Sequence, residues 1–298
     1  MELGACDSRV VVMDADVADS VKVDAFAAAY PGRFVQAGIS EQNMVGMAAG
    51  LSLTGKTVFV NTFAAFATTK TFDQIRLVVA YAKANVKIVG GAAGLALGEA
   101  GPSHHAIEDL AIMRALPNMT VLSPGDDEEA YQTTKLLAME PGPVYLRLFR
   151  TDVEAISPPG YKFTSGDVVL VRPGVDLTIF ATGLMVTTAL HAATKLYQDG
   201  IDARVVNIHT IKPLCIADIV HHAGETGAVV TVEEHSIIGG LGSAIAEALG
   251  ENRPLPMKRV GIPDTFCESA PTNAQFDRYG LTAAHVVDAA HSVLSRKA

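Results

Sequence analysis

Cysteine is scarce in this chain. Its three copies, Cys6, Cys215 and Cys267, lie far apart and form no CxxC pair. That spacing excludes a disulfide framework and a cysteine zinc site, and suits buried or incidental thiols in a reducing compartment. Positive charge is scarce as well: 23 Lys and Arg stand against 32 Asp and Glu, a net charge of -9. Nucleic-acid surfaces need clustered Lys and Arg to meet phosphates, so that partner class is set aside. No run of about 18 apolar residues is free of charge, so no membrane span is expected. The opening Met1-Glu2-Leu3-Gly4 has no basic stretch followed by an apolar core. A secretory signal is therefore not expected, and the cytoplasm is the expected compartment. Nucleotide-loop fingerprints are missing too. Neither Gly90–Gly101 nor Gly239–Ser243 completes GxGxxG, and no Walker GK[ST] occurs, so NAD binding is the least favoured reading.

What is present is apolar. Hydrophobic residues make up 49% of the 298, which excludes a disordered chain and suffices for two domains with cores of their own. Apolar runs closed by turn residues alternate with helical patterns. Strands are expected at 9–13, 57–61, 86–90, 119–124 and 143–148, with helices at 21–30, 40–53, 68–84 and 106–116. Asp126-Asp127-Glu128-Glu129 reads as a solvated helix start, and Glu108-Asp109 as a first-turn acidic pair. Thr151–Gly166, with Pro158-Pro159-Gly160, reads as a linker. A second series follows, with strands at 177–181, 203–207 and 228–232 and helices near 185–198, 215–222 and 242–250. The expected class is α/β, two doubly wound α/β domains, at 1–155 and 156–298. The histidines at 209, 221, 222 and 235 show no catalytic spacing, and the adjacent pair His104-His105 has no carboxylate-rich surroundings that would suggest a metal.

The most informative stretch runs from Gly38 to Gly50. Ser40 reads as an N-cap and Glu41 as the first-turn acid of a helix otherwise made of small or uncharged residues. Gly46, Ala49, Gly50 and Leu53 fall at helical spacing, a face on which another backbone can come close; Gly55 would close the helix. A first-turn Glu can simply favour the helix dipole, or it can be a catalytic acid. The strand after it bears on the choice, because Phe63 and Phe66 follow its C-terminal end, the edge where parallel α/β sheets bind ligands.

Residues 38–76, through Thr62-Phe63-Ala64-Ala65-Phe66 and Phe72-Asp73-Gln74-Ile75-Arg76, resemble the pyrimidine-binding domain of transketolase. Gly98-Glu99-Ala100-Gly101-Pro102-Ser103-His104 resembles the family's substrate loop, and Thr210-Ile211-Lys212-Pro213-Leu214 its third domain. The likeness runs in order over nearly the whole chain and implies the C-terminal subunit of a split, two-chain transketolase. In part of the family a helix carrying a phosphate-contacting Arg precedes the first strand, and the likeness suggests that this sequence starts within or just after it.

The resemblance implies thiamine diphosphate as cofactor and transfer of a two-carbon ketol unit from a ketose to an aldose. Glu41 matches the acid that hydrogen-bonds the aminopyrimidine ring nitrogen, which burial would keep protonated. Phe66 and Phe63 match ring-packing positions. His104 matches a substrate-contacting residue, Ser20 a contact to donor sugar or phosphate, and Arg150 a phosphate-holding arginine. The last domain is expected to support dimerisation and to carry no chemistry. No Gly-Asp-Gly with a downstream Asn occurs. The diphosphate and its Mg²⁺ or Ca²⁺ are therefore expected on an N-terminal partner subunit, with no metal ligand on this chain, which would also self-associate as a homodimer.

Two departures concern the sugar. Ala92 stands where a phosphate-contacting His is usual, and Ala100 replaces the Asp that reads a donor hydroxyl. An unusual ketose, branched, modified or differently phosphorylated, is expected among the sugar phosphates. Two other readings share the chain: the β subunit of a 2-oxo-acid dehydrogenase or a deoxyxylulose-phosphate synthase-like enzyme, and a non-catalytic partner subunit that kept the fold.

Overall fold

Valine-rich runs without polar alternation belong in parallel strands covered on both faces, and that is where they lie. The computed structural model describes residues 1–158 and 160–297. Its strands are β1 (Val10–Asp14), β2 (Phe34–Gln36), β3 (Thr57–Phe63), β4 (Val86–Gly91), β5 (Thr120–Leu122), β6 (Val144–Arg147), β7 (Val169–Arg172), β8 (Leu177–Ala181), β9 (Ala203–Asn207), β10 (Thr210–Lys212), β11 (Val229–Ser236) and β12 (Met257–Ile262). They form two sheets, a seven-stranded one in the order β10-β5-β6-β4-β3-β1-β2 and a five-stranded one in the order β12-β11-β8-β9-β7. Both are parallel except for one edge strand each, β10 against β5 and β7 against β9. The fold is thus two mixed α/β domains flanked by helices. No helix among the described residues is long and apolar enough to cross a membrane.

β10 departs from a simple domain split. It follows β9 in the second series, yet it completes the first sheet's edge. Nearby, Lys212 Nζ donates to the Arg114 and Leu116 carbonyls at 3.0 and 2.5 Å, where the helix Asp109–Arg114 ends.

Several local expectations are corrected. The helix expected at 68–84 is broken. Ala64–Thr68 forms one short helix, residues 69–71 turn, and Phe72–Gln74 leads into a wider π-helical stretch at Ile75–Tyr81. Thr68, Thr69 and Thr71 each send a hydroxyl back to the carbonyl four residues earlier, at 2.8, 2.6 and 2.5 Å, a contact that bends helices. The helix expected at 21–30 spans only Asp24–Ala29, and Ser20 lies in the turn before it. Ser40 occupies the N-cap position but gives its hydroxyl to the Ala37 carbonyl at 2.7 Å.

The acid runs are not simply solvated. Asp126 is buried and accepts from the Glu129 amide, and its other oxygen takes the Ile156 and Ser157 amides of the linker. Glu129 is fully buried against Asn207 and Tyr161. Asp109, also fully buried, accepts from Arg147 Nε at 2.8 Å and from the Tyr145 hydroxyl at 2.6 Å. The linker 151–166 is irregular where described, and Pro159 lies outside the described residues.

Candidate functional site

The C-terminal ends of β1, β3, β4 and β6 share one edge of the first sheet, because those strands run parallel. Each end delivers a loop. The loop after β1 is shaped by Asp14, whose carboxylate is fully buried and accepts from the Val17 amide at 3.0 Å and from Gln36 Nε2 at 2.8 Å. Gln36 Oε1 in turn takes the Asp16 and Gly38 amides. This bracket ties the β1 loop to the start of the helix Glu41–Ser52, and nothing in the sequence pattern announces it.

Glu41 opens that helix and is only 5% exposed. Its carboxylate is not alone. Lys70 Nζ lies 3.3 and 3.2 Å from the two carboxylate oxygens and 4.4 Å from the centroid of the Phe66 ring. Lys70 keeps a side chain that is 47% exposed, and the Gln42 side-chain amide donates to its carbonyl at 2.9 Å. The ammonium therefore stands between an acid and a ring. Sequence reasoning missed Lys70; the signal available was a cation four residues beyond Phe66, at the turn that interrupts the helix.

Phe63 closes β3 and Phe66 sits on the short helix after it. Their ring centroids are 6.0 Å apart. The His104 ring meets Phe66 edge-on at 5.0 Å and lies 6.1 Å from Phe63. Ser103 Oγ contacts His104 Nδ1 at 2.9 Å. Glu41, Phe63, Phe66 and His104 thus form one cluster with Lys70. His105 points the other way, buried, with Nε2 3.3 Å from the Gly98 carbonyl and its pKa lowered by burial.

Ser20 and Arg150 reach the same edge from the β1 and β6 sides. Ser20 is half-buried and Arg150 exposed, and neither side chain makes a hydrogen bond among the described residues. Ala92 is buried at a φ of +50° directly beyond β4, and Ala100 is exposed on the short turn Gly98–Ala100. In the second glycine-rich loop, Gly239–Ser243, the Gly239, Leu241 and Gly242 amides are already taken. Glu233, fully buried, accepts from the Leu241 and Gly242 amides at 2.6 and 2.8 Å.

The crevice therefore offers a buried acid, two rings and an imidazole, a donor set suited to a planar nitrogen heterocycle held at a parallel-sheet edge. The fold and site together define a two-domain α/β protein with an acid–aromatic cluster at one parallel-sheet edge. The family description "Transketolase, pyrimidine binding domain" matches residues 1–155, and "Transketolase, C-terminal domain" matches residues 166–286. The chain belongs to the transketolase family. It is 44% identical over 297 residues to the 6-deoxy-6-sulfo-D-fructose transketolase subunit of a Clostridium species, covering 100% of this chain and 92% of that one. It is 39% identical to an apulose-4-phosphate transketolase subunit of Phocaeicola vulgatus, over 94% of this chain and 90% of that one. Among solved structures it matches a split-gene transketolase, described as an inactive β4 tetramer, with a TM-score of 0.93 and 46% identity over 100% and 96% of the two chains. In extent, then, the chain corresponds to the C-terminal subunit of a split transketolase-family enzyme.

Proposed function

We propose that this chain is the C-terminal subunit of a thiamine-diphosphate-dependent transketolase that moves a two-carbon ketol unit from a ketose to an aldose, and that it acts only with an N-terminal, diphosphate-binding subunit. The observation that carries the reading is the cluster of Glu41, Phe63, Phe66 and His104 at one sheet edge. These residues fit the pyrimidine half of the cofactor: the buried Glu41 carboxyl would meet the ring nitrogen and Phe66 would pack on the ring face. When bound, the cofactor supplies the carbanion and accepts the electron pair released by C–C cleavage.

The chain's residues would act around it. Glu41 would hydrogen-bond the pyrimidine ring nitrogen. Lys70, whose side chain is half-exposed, would compete for the same carboxylate. Phe63 and Phe66 exclude water from the reacting face. His104 steadies the substrate oxygens, and Ser20 and Arg150 hold the sugar's anionic end, Arg through its planar fork.

The diphosphate and its Mg²⁺ or Ca²⁺ would belong to the partner, since this chain has no Gly-Asp-Gly motif to hold them. The small-residue face expected to receive another backbone is open: Gly46, Gly50 and Leu53 are exposed, beside exposed Leu77, Val78 and Tyr81. Ala49 points inward instead. This face would serve the partner subunit or a second copy of the chain.

The donor is proposed to be a modified or branched ketose. Ala92 and Ala100 present only methyl groups where contacts to phosphate and hydroxyl are usual, and two relatives are named for a sulfonated ketose and for apulose 4-phosphate. The domains are proposed to divide at 155/156 and the compartment to be the cytoplasm. Co-purification with the diphosphate-binding subunit, followed by a ketose donor panel with thiamine diphosphate and Mg²⁺, tests the whole reading. Ketol transfer that needs both chains is expected. Decarboxylation of pyruvate or a branched 2-oxo acid in its place would overturn it, and a preference for xylulose 5-phosphate would overturn the donor assignment.

A further inference from the structure

The second domain holds the loop that brings His104 to the first. The loop leaves β4 at Gly91 and returns through Ala106, which pairs with Gly94. Its two ends are buried in the other domain: Leu95 and Ile107 pack in the core built by β8, β11 and the helix Met185–Gln198. Between them the backbone is held by second-domain side chains. Glu234 Oε1 accepts from the Leu95 amide at 2.7 Å, and Thr272 Oγ1 donates to the Leu95 carbonyl at 3.2 Å. The Gly98 carbonyl receives Gln275 Nε2 at 2.9 Å and the Ala270 amide at 3.2 Å, besides the His105 ring.

Gln275 is 1% exposed and Glu234 2%. Neither is placed as a surface residue would be, and buried polar groups persist where they are paired. The fit is close enough to dictate residues on the loop. A side chain at Gly94, which sits at a φ of +67°, would strike the Glu234 carboxylate, and one at Gly98 would lie 2.5 Å from the Ala270 carbonyl. Beyond Gly98 the chain turns, and the His104 amide bonds the Gly101 carbonyl at 3.0 Å. The height and angle of His104 over Phe66 therefore follow from where Gly98 is fixed.

We infer that Gln275, Thr272 and Glu234 are positioning residues: the second domain sets the substrate loop, and through it His104, against the cluster on the first domain. That the loop faces substrate rests on the function proposed above; the grip itself does not. The three side chains are separated from their loop partners by 139 to 177 residues, so the domain expected to carry no chemistry shapes the site from behind.

Hydrogen exchange on the full chain and kinetics on the two-chain enzyme test this. Gln275→Met keeps the volume and removes the donors. Loss of one buried hydrogen bond is worth about tenfold in a local opening equilibrium, so amides 95–105 should exchange about tenfold faster while those of β8 and β11 stay within about twofold. Thr272→Val should show the same pattern more weakly. In the reconstituted enzyme the donor KM should rise about fivefold or more, with kcat within about twofold and cofactor affinity unchanged. Unchanged loop exchange, or a rise spread evenly over both domains, would overturn the grip. A loosened loop with an unchanged donor KM would overturn the positioning role. Failure of the transketolase reading shows separately, as a wild-type complex without ketol transfer, and leaves the exchange result standing.

Discussion

At two helix starts in this chain a buried glutamate is used in opposite ways. In the second domain, Glu233 within β11 is spent on the helix Leu241–Asn252, its two oxygens taking the first amides. A carboxylate from inside the fold thus takes the place that a phosphate would occupy on the first two amides of this helix. In the first domain, Glu41 begins its helix without bonding it, and its oxygens face Lys70 and the crevice. Similar strand–turn–helix units thus yield a sealed end and an open one. The difference lies in whether the acid comes from the strand behind the helix or from the helix itself, where it is left facing outward.

The largest effect is expected from blunting the open end. Glu41→Gln should lower ketol transfer by the reconstituted enzyme about 100-fold or more, the scale of a lost proton-transfer group, with the thermal midpoint of the chain nearly unchanged. Unchanged activity would favour a non-catalytic subunit. At the sealed end the balance reverses. Glu233→Ala leaves two buried amides without an acceptor and should cost about 3 kcal/mol in chemical denaturation, with little change in activity per folded molecule.

The pH dependence of stability sharpens the comparison next. Burial raises Glu234 from the ordinary 4.5 to about 7, against the opposing pull of Arg147. The native state then binds a proton more tightly than the unfolded chain between those values. The stability this contributes is complete below about 4.5 and is lost as pH rises through about 7. Glu234→Gln should remove on the order of 2 kcal/mol of that loss, read as the difference between wild-type and variant denaturation midpoints from pH 5 to 7.5. The unaltered Glu233, also near 7, contributes equally to both curves.

The smallest effect concerns Lys70. Lys70→Met removes a half-exposed ion pair and a cation–ring contact, together worth about 1 kcal/mol, so thiamine diphosphate should bind the complex about fivefold more tightly by calorimetry. Weaker binding would show that the ammonium helps the ring rather than competing with it.

Regular elements were legible because their cause is local. Helix Met185–Gln198 and strands Leu177–Ala181 and Ala203–Asn207 lie where the residue pattern placed them. Strand direction also put Phe63 and Phe66 at the sheet edge with Glu41, whereas His104 was suggested by the family resemblance alone. What escaped notice has distant causes. Asp109 and Glu129 look like ordinary helix-start acids until Arg147 and Asn207, 38 and 78 residues away, bury them. Lys70 looks like a surface cation until the threonine-bent turn points it at Glu41. Leu95 looks like one apolar residue in a glycine–alanine loop, although its neighbours belong to the other domain's core. Periodicity reports which face of an element is apolar, not which element lies across from it.

The detour of Thr210–Lys212 into the seven-stranded sheet bears on how this polypeptide can be cut. Scission in the proline-containing connector would strip that sheet of its outermost antiparallel ribbon, baring the hydrogen-bonding groups of β5 for another molecule to pair with. The same cut would empty the sites that Leu95 and Ile107 fill in the neighbouring half. The two globules are therefore neither interchangeable modules nor fusion parts. Expressing either alone should give an aggregating fragment.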